Sequence, residues 1–249
     1  NAPLEGTLTE QAITVTNGYR YVRYLAPAGG YGNVAEVEFY GADATAVSST
    51  WIADSNGTWS DTNKWSGGNV ASGAGFTADF STLNITAGHT VTLDASHSIG
   101  TLKFGDTAGA QSWNLSASGG SILTLDTGSS SSPSILVNQG AAMISAPVAG
   151  ANGFTKRGAG TLILAGNNPL FGALNVDTSS NTTNDGIVRL TSSAAIAHID
   201  SPIAIRNNNN GTSTFQLDGS GGNINVSQDF TVNCRAGSVA TIQNLAGTN

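Results

Sequence analysis

Short runs of alternating apolar and polar residues recur along the chain from residue 83 to residue 242. Each run is bounded by Gly, Asn, Asp or Ser, which is the pattern of a half-buried β-strand that ends in a turn. No stretch places its apolar residues at helical spacing. The runs that predict strands are 83–86, 89–93, 101–104, 113–115, 122–125, 135–138, 142–145, three runs within 155–191, and then 202–206, 214–217, 224–226, 230–233 and 239–242.

This rhythm predicts an all-β solenoid, in which each coil of the chain stacks on the previous one. Three strands with their corners would complete one coil, so the strand count predicts roughly six to eight coils, each rising about 4.8 Å. The run of four asparagines at 207–210 is predicted to form a corner whose side chains ladder between coils, with a simple loop tip as the alternative.

The stretch from residue 153 to 197 shows the pattern most clearly. It contains the run Lys-Arg-Gly-Ala-Gly-Thr-Leu-Ile-Leu-Ala-Gly-Asn-Asn at 156–168, and two further apolar runs at 173–177 and 186–191. This wording resembles the autotransporter-associated β-strand repeat of large secreted bacterial proteins. The resemblance extends loosely to residues 51–197, because the Gly-Thr-Trp-Ser-Asp-Thr-Asn-Lys-Trp-Ser-Gly run at 57–67 is similar to the usual opening of such regions.

The resemblance implies a right-handed parallel β-helix. It implies no activity, because the repeat occurs in adhesins, stalks and polysaccharide-degrading proteins alike. The sequence departs from the repeat at two places: Phe171 stands where the family usually has Tyr and Thr, and an insert occupies residues 178–185.

Residues 1–50 are predicted to form an N-terminal hairpin cap and a linker, and residues 51–249 the β-helix. Alternating runs at 19–24 and 34–40 flank a turn rich in Pro and Gly, which is the pattern of a β-hairpin. Residues 19–41 resemble the C-terminal strands of a discoidin-type domain. The hairpin is expected to cap the first coil, because an open coil edge must be covered; the tail of a removed domain is the alternative. Residues 43–50 are assigned to the linker.

The composition is poor in charge and acidic overall. Charged residues make up 10% of the chain, against about a quarter in an average domain, and the nine Lys and Arg form no basic cluster. The net charge of −7 therefore argues against nucleic acid and anionic membranes as partners. No apolar run reaches the roughly 18 residues of a membrane helix. Cys234 is the single cysteine and is expected to be a small buried hydrophobe.

The sequence predicts no catalytic site, no metal site and no cofactor. Glu36 and Glu38 are the closest acidic pair at strand spacing, but Arg20 and Arg23 are their expected cross-strand partners. The remaining acids are single and mostly end strands, where Asp makes turns. The three histidines lack the spacing of a metal site, and His198 with its neighbours Asp200 and Ser201 does not form a triad.

The aromatic residues are concentrated in the N-terminal half. All five Tyr lie between residues 19 and 40, and all four Trp between residues 51 and 113. One interpretation is an aromatic cap that seals the core, and the other is a platform on which sugar rings stack. The predicted ligand-binding residues are Tyr31, Trp51, Trp59, Trp65 and Trp113.

These observations favour a non-catalytic carbohydrate-binding module of a secreted enzyme that degrades plant polysaccharides. The chain is similar to parallel β-helix modules attached to xylan-degrading glycoside hydrolases, so the resemblance implies xylan, or a related β-1,4-linked glycan of the plant cell wall, as the partner. The chain would be extracellular and tethered to a catalytic domain of a longer bacterial protein. The alternative is a structural stalk, or an adhesin-type passenger segment of a cell-surface protein. A stalk predicts buried aromatics, and a binding module predicts exposed ones along one groove.

Overall fold

The computed structural model describes residues 46–176, 186–207 and 211–249, all within a compact unit that spans Ala42–Asn249. This unit is a parallel β-helix, which confirms the predicted all-β solenoid. Its strands are β1 (Ser49–Thr50), β2 (Gly57–Thr58), β3 (Gly73–Phe80), β4 (His89–Leu93), β5 (His97–Phe104), β6 (Ser112–Ala117), β7 (Leu123–Leu125), β8 (Ser134–Val137), β9 (Ala141–Ile144), β10 (Val148–Ala149), β11 (Phe154–Arg157), β12 (Thr161–Leu164), β13 (Leu174–Val176), β14 (Ile187–Leu190), β15 (Ile203–Asn207), β16 (Thr212–Asp218), β17 (Phe230–Cys234) and β18 (Val239–Ala246).

The strands form two parallel sheets. Sheet I runs in the order β1-β3-β5-β8-β11-β13-β15-β17, and sheet II runs β2-β4-β6-β9-β12-β14-β16-β18. Four short 3-10 helices complete the described elements, at Thr62–Lys64, Ser66–Gly68, Ser193–Ala195 and Gly219–Gly221. No described helix is long and apolar enough to cross a membrane.

The chain makes about seven turns, within the predicted range. In sheet I, residues that pair between consecutive coils are separated by 20 residues at the shortest, between Lys156 and Val176, and by 33 at the longest, between Leu102 and Ile135. Apart from a register shift between Gly73 and Thr77 where β3 pairs with β5, strand alternation in this sheet stays in register, so the extra residues are mostly accommodated in the corners. The handedness of the coil stays a prediction.

A third face is present in the middle coils. β5 pairs with β7 through His97, Ser98 and Ile99, and with β8 through residues 101–104, so that one strand serves two faces. Gly100 lies between the two segments. β10 pairs with β7 on the third face. Three strands per coil therefore hold for these coils, whereas the remaining coils fill the third face with turns and 3-10 helices.

The interior consists of rows of apolar side chains that run along the helix axis. In sheet II, one row contains Val91, Leu115, Ile144, Leu164 and Leu190, all at most 1% exposed. These rows arise because alternate residues of every strand point inward, and the parallel register aligns them between coils.

Lys156 is the exception within the corresponding row of sheet I, where it pairs with Ile135 and Val176 and is fully buried. Its ammonium group donates a hydrogen bond to the carbonyl of Gly158 at 2.5 Å. The neighbouring Arg157 lies on the outer side of the strand and is partly exposed.

Two predicted strands are wrong. Residues 83–86 and 224–226 form loops. At 83–86 the backbone N–H of Ile85 donates to the Asp106 carboxylate at 3.1 Å, and the N–H of Thr86 donates to the Asp54 carboxylate at 3.0 Å. Side chains therefore accept the hydrogen bonds that a neighbouring strand would otherwise provide. Conversely, β3 (Gly73–Phe80) forms where the sequence predicted no strand.

The first coil begins earlier than predicted. Ser49 and Thr50 pair with β3, and Val47 forms an antiparallel bridge to Ser72. Residues that the sequence assigned to a linker therefore belong to the β-helix. The predicted hairpin at 19–41 lies outside the described residues, as do residues 208–210 of the asparagine run.

The two ends of the described β-helix differ. At the N-terminal end, β1 and β2 are two residues long and lie over a buried aromatic cluster. At the C-terminal end, β17 and β18 are five and eight residues long, and Val232, Val239, Ile242 and Leu245 are 46–58% exposed.

Candidate functional site

The structure places the four predicted tryptophans in the core. Trp51 and Trp59 are fully buried, and Trp65 and Trp113 are 1% exposed. Their indole faces are therefore covered by protein and offer no surface on which a sugar ring could stack. The expectation that they bind a ligand by stacking is corrected on this ground. Tyr31, the fifth predicted residue, lies outside the described residues.

The tryptophans pack around Phe80. The ring centroids of Trp51, Trp59 and Trp65 lie 5.6, 5.5 and 5.2 Å from the Phe80 ring, and that of Trp113 lies 5.6 Å from it. Trp65 also contacts Trp51 edge to face, with centroids 5.2 Å apart and planes at 88°. These separations fall in the favourable range for aromatic pairs.

Every indole N–H in this cluster donates to a backbone carbonyl. Trp51 donates to Ala53 at 2.8 Å, Trp59 to Ala71 at 3.0 Å, Trp65 to Trp59 at 2.6 Å and Trp113 to Gly105 at 2.8 Å. Burial thus leaves no indole donor unpaired. The arrangement is that of the aromatic cap, the alternative interpretation of these residues.

The aspartates act as acceptors for turns. Eight of the nine described aspartates accept a hydrogen bond through the side chain: Asp54, Asp61, Asp79, Asp94, Asp106, Asp126, Asp200 and Asp218. Asp54 also contacts His89 at 2.6 Å, and Asp79 contacts Lys103 at 3.3 Å. Each of these eight carboxylates therefore has a hydrogen-bond donor within the β-helix. Glu36 and Glu38 lie outside the described residues.

Asp106 is the most extensively bonded carboxylate. It is buried within a loop between β5 and β6. Burial alone would raise its pKa, but hydrogen bonds from backbone N–H groups outweigh burial and hold the pKa below the ordinary value of 3.8. The four donors are Gln111, Ala108, Ala110 and Ile85. The ionised Asp106 carboxylate therefore holds this loop in place through these hydrogen bonds.

The described residues contain no group of three or more His, Cys, Asp and Glu side chains arranged to hold a metal ion. Cys234 is a free thiol and is half-buried at the end of β17, so it is less enclosed than predicted.

His97 is a partly buried titratable group beside the aromatic cluster. Its ring stacks on Trp59 with centroids 5.6 Å apart, and its Nε2 is buried without a hydrogen-bond partner. Burial lowers the pKa of His97 below the ordinary 6.5, although the Asp94 carboxylate opposes the change. The neutral imidazole is consequently the form that the folded protein favours.

The stability of the protein should decrease as the pH falls through 6.5 toward the lowered pKa of folded His97. In that window the unfolded chain binds the His97 proton more readily than the folded chain does, so the stabilisation present above pH 6.5 is lost. Urea unfolding at several pH values, followed by tryptophan fluorescence, measures the effect. His97→Phe keeps a ring against Trp59 and should reduce the slope in this window. An unaltered slope in His97→Phe would contradict the assignment.

A pair of exposed rings lies on the third face of the β-helix. Phe171 is 50% exposed, and its ring lies 5.9 Å from that of the exposed His198, with the planes at 55°. Beside them, the Asp200 carboxylate accepts a hydrogen bond from the N–H of Gly172 at 2.9 Å. We call Phe171, His198 and Asp200 the Phe171 corner.

Stacked turns hold the Phe171 corner in place. The N–H of Gly153 donates to the carbonyl of Phe171 at 2.8 Å, and the N–H of Phe171 donates to the carbonyl of Gly150 at 2.9 Å. Gly172 has a φ of 83°, and a Cβ there would lie 2.6 Å from the backbone nitrogen of Gly153. Only glycine allows this approach of the two turns. The Phe171 corner is therefore a fixed, exposed surface that combines two rings with a carboxylate.

Sequence reasoning noted Phe171 only as a departure from the repeat and missed its exposure. The sequence did carry a signal of this exposure, because Phe171 directly precedes Gly172 in a turn and not in an alternating strand.

No protein-family model matches this chain, and comparisons with curated proteins and with solved structures find no significant match.

Proposed function

We propose that residues 46–249 form a non-catalytic structural spacer in a secreted or cell-surface protein. The observation that supports this proposal is the burial of all four tryptophans in one satisfied cluster. A stalk needs these residues to hold its core, and a sugar-stacking platform would need them exposed.

The shape of the β-helix fits the same role. About seven turns, each rising about 4.8 Å, give a rod on the order of 34 Å long. Apolar rows run along its interior, interrupted at Lys156, and eight of the nine described aspartates accept hydrogen bonds through their side chains. These contacts support a rigid fold. A rigid rod of this kind separates the elements joined to its two ends by a fixed distance. Its location outside the cell rests on the resemblance to autotransporter-associated repeats.

A second function has one specific observation in its favour. The Phe171 corner presents an exposed aromatic face beside an imidazole and a carboxylate, the combination of stacking surface and hydrogen-bonding group that neutral sugars use. A carbohydrate-binding module with its site at the Phe171 corner is therefore the second candidate. The resemblance to modules of xylan-degrading enzymes makes xylan its first ligand.

Affinity electrophoresis in gels containing xylan, glucomannan or β-glucan, with a pull-down on cellulose, should distinguish the two functions. The spacer proposal predicts no retardation on any glycan and no release of reducing ends. If the second function holds, the chain is retarded, and Phe171→Ala weakens binding by roughly 5- to 30-fold, because one aromatic contact is worth about 1–2 kcal/mol. Phe76→Ala is the matched control, since Phe76 is also exposed, at 36%, but lies elsewhere. Retardation that survives Phe171→Ala would contradict the proposed site.

A further inference from the structure

The outer side of sheet II carries two rows of residues that point away from the core. They alternate with the buried residues of each strand, and the parallel register aligns them from coil to coil. The first row contains Thr90, Asn114, Met143, Ile163, Arg189, Gln216 and Gln243. The second row contains Ser112, Ala141, Thr161, Ile187, Thr214 and Thr241. We call these thirteen residues the outer rows of sheet II.

The centre of the outer rows is apolar. Met143 in β9 pairs with Ile163 in β12, and Ile187 in β14 is the diagonal neighbour of Ile163, because it pairs with Thr161. All three side chains are partly exposed. Apolar side chains that adjoin one another on a protein surface mark a site of interaction.

Uncharged polar side chains flank this apolar centre. Thr90 and Asn114 lie on one side of it in the first row, and Gln216 and Gln243 lie on the other. Arg189 donates from Nε to Gln216 Oε1 at 2.9 Å, and Gln216 donates from Nε2 to Gln243 Oε1 at 2.9 Å, so these side chains are held in place. An apolar centre with a polar rim and few charges is the composition of a protein–protein interface.

We propose that the outer rows of sheet II bind the same rows of a second copy of the chain, giving a two-fold dimer of β-helices packed face to face. The axis runs parallel to the strands and passes over β12, so that Ile163 meets Ile163 of the second copy and Thr161 meets Thr161. The axis also reverses the order of the coils. The contacts that it then forms twice are Ala141 with Ile187, Met143 with Arg189, Ser112 with Thr214, Asn114 with Gln216, and Thr90 with Gln243.

These contacts match in polarity. Apolar side chains meet apolar ones, hydroxyls meet hydroxyls and amides meet amides, while Met143 packs against the aliphatic stem of Arg189. The two copies of Arg189 lie two coils apart, about 10 Å along the axis, so no like charges face each other directly. A two-fold contact of this kind is self-complementary and closes at two copies.

Charge and aromatic content favour a second copy over other occupants. Each copy carries a net charge of −7, and two copies repel each other least where they meet through surfaces without acidic side chains. The strands of sheet II contain one acidic residue, Asp218, which lies at the end of β16 outside both rows. Neither row contains an aromatic residue on which a sugar ring could stack. The contact does not depend on the spacer function, and it would pair two spacers side by side.

The size of the face predicts a weak dimer. From β4 to β18 the outer rows span six inter-strand spacings, about 29 Å in all, and a strand of four residues is about 13 Å long. A contact of these dimensions lies at the low end of specific interfaces, which bury about 800 Å² per partner. The dissociation constant is therefore expected to be roughly micromolar or weaker.

Sedimentation velocity of the 249-residue chain between about 1 and 300 µM, a range that spans such affinities, should show a monomer–dimer equilibrium. Ile163→Lys brings two ammonium groups together at the axis and should weaken dimerisation at least about 100-fold. Ile52→Lys is the matched control, because Ile52 is 52% exposed and lies outside sheet II, and it should leave the dimer intact. Circular dichroism checks that each variant keeps its β-structure. A chain that stays monomeric at about 300 µM would overturn the dimer, and a dimer insensitive to Ile163→Lys would overturn the face.

Cross-linking tests the position of the axis. In a Cys234→Ser background, which removes the single native thiol, Ile163→Cys should give a covalent dimer with a short bis-maleimide, because packed sheets lie about 10 Å apart and the two thiols face each other. Thr90→Cys in the same background is the control. The two copies of residue 90 would lie about 29 Å apart along the axis and should not link. Equal cross-linking at the two positions, or none at either, would overturn the axis over β12.

Discussion

Replacing Trp65 with alanine should lower the free energy of unfolding by about 3–5 kcal/mol, the range for removing a large buried aromatic side chain. Trp65 contacts Trp51, Trp59 and Phe80, so its loss leaves a cavity bordered by three rings. It also leaves the buried carbonyl of Trp59 without the indole donor that it has at 2.6 Å. Urea unfolding followed by far-UV circular dichroism measures the change.

Ile52→Ala is the control for this experiment. Ile52 is next to Trp51 in sequence but is 52% exposed, and its truncation should change the free energy of unfolding by less than about 0.5 kcal/mol. If Trp65→Ala lowered the free energy of unfolding by less than about 1 kcal/mol, the aromatic cluster would not be a main source of stability at this end of the β-helix. A ligand-binding role for the tryptophans would then have to be considered again.

Gly100→Ala should destabilise the protein by about 1–3 kcal/mol, although it adds a single methyl group. The new Cβ would lie 2.7 Å from the Cα and 2.9 Å from the carbonyl carbon of Gly75, in the preceding coil. Because those atoms are backbone, relief requires the coil itself to move. The same unfolding experiment measures the effect.

Gly221→Ala is the matched substitution, since nothing lies within 4 Å of the Cβ position there and the residue has no positive φ. It should be close to neutral. If Gly100→Ala were equally neutral, the coils near β5 would have more freedom than their contact distance implies.

The sequence predicted the strands wherever alternation alone decides the structure. β4 begins and ends at the predicted residues, and β12, β14 and β16 lie within a few residues of their predicted positions. In these strands the parallel register needs only an inward apolar residue at every second position. The number of coils followed from the same pattern.

The errors occurred where a distant side chain determines the backbone. Residues 83–86 alternate like a strand, but the Asp106 and Asp54 carboxylates, from other parts of the chain, bind their N–H groups. The tryptophans show the same limit for function: their number and clustering were visible, but all four pack against Phe80, which lies in a segment where the sequence predicted no strand. The Phe171 corner forms only when turns from separate coils meet.

The aromatic cluster at the N-terminal end of the β-helix also bears on how the chain folds as it is synthesised. Coils in a solenoid contact only their neighbours, so structure can grow from one nucleus, coil by coil. Residues 51–113, which contain the cluster, are translated before most of the coils that stack above them. The largest buried side chains are thus available first, and each later coil can pack on a coil that has already folded.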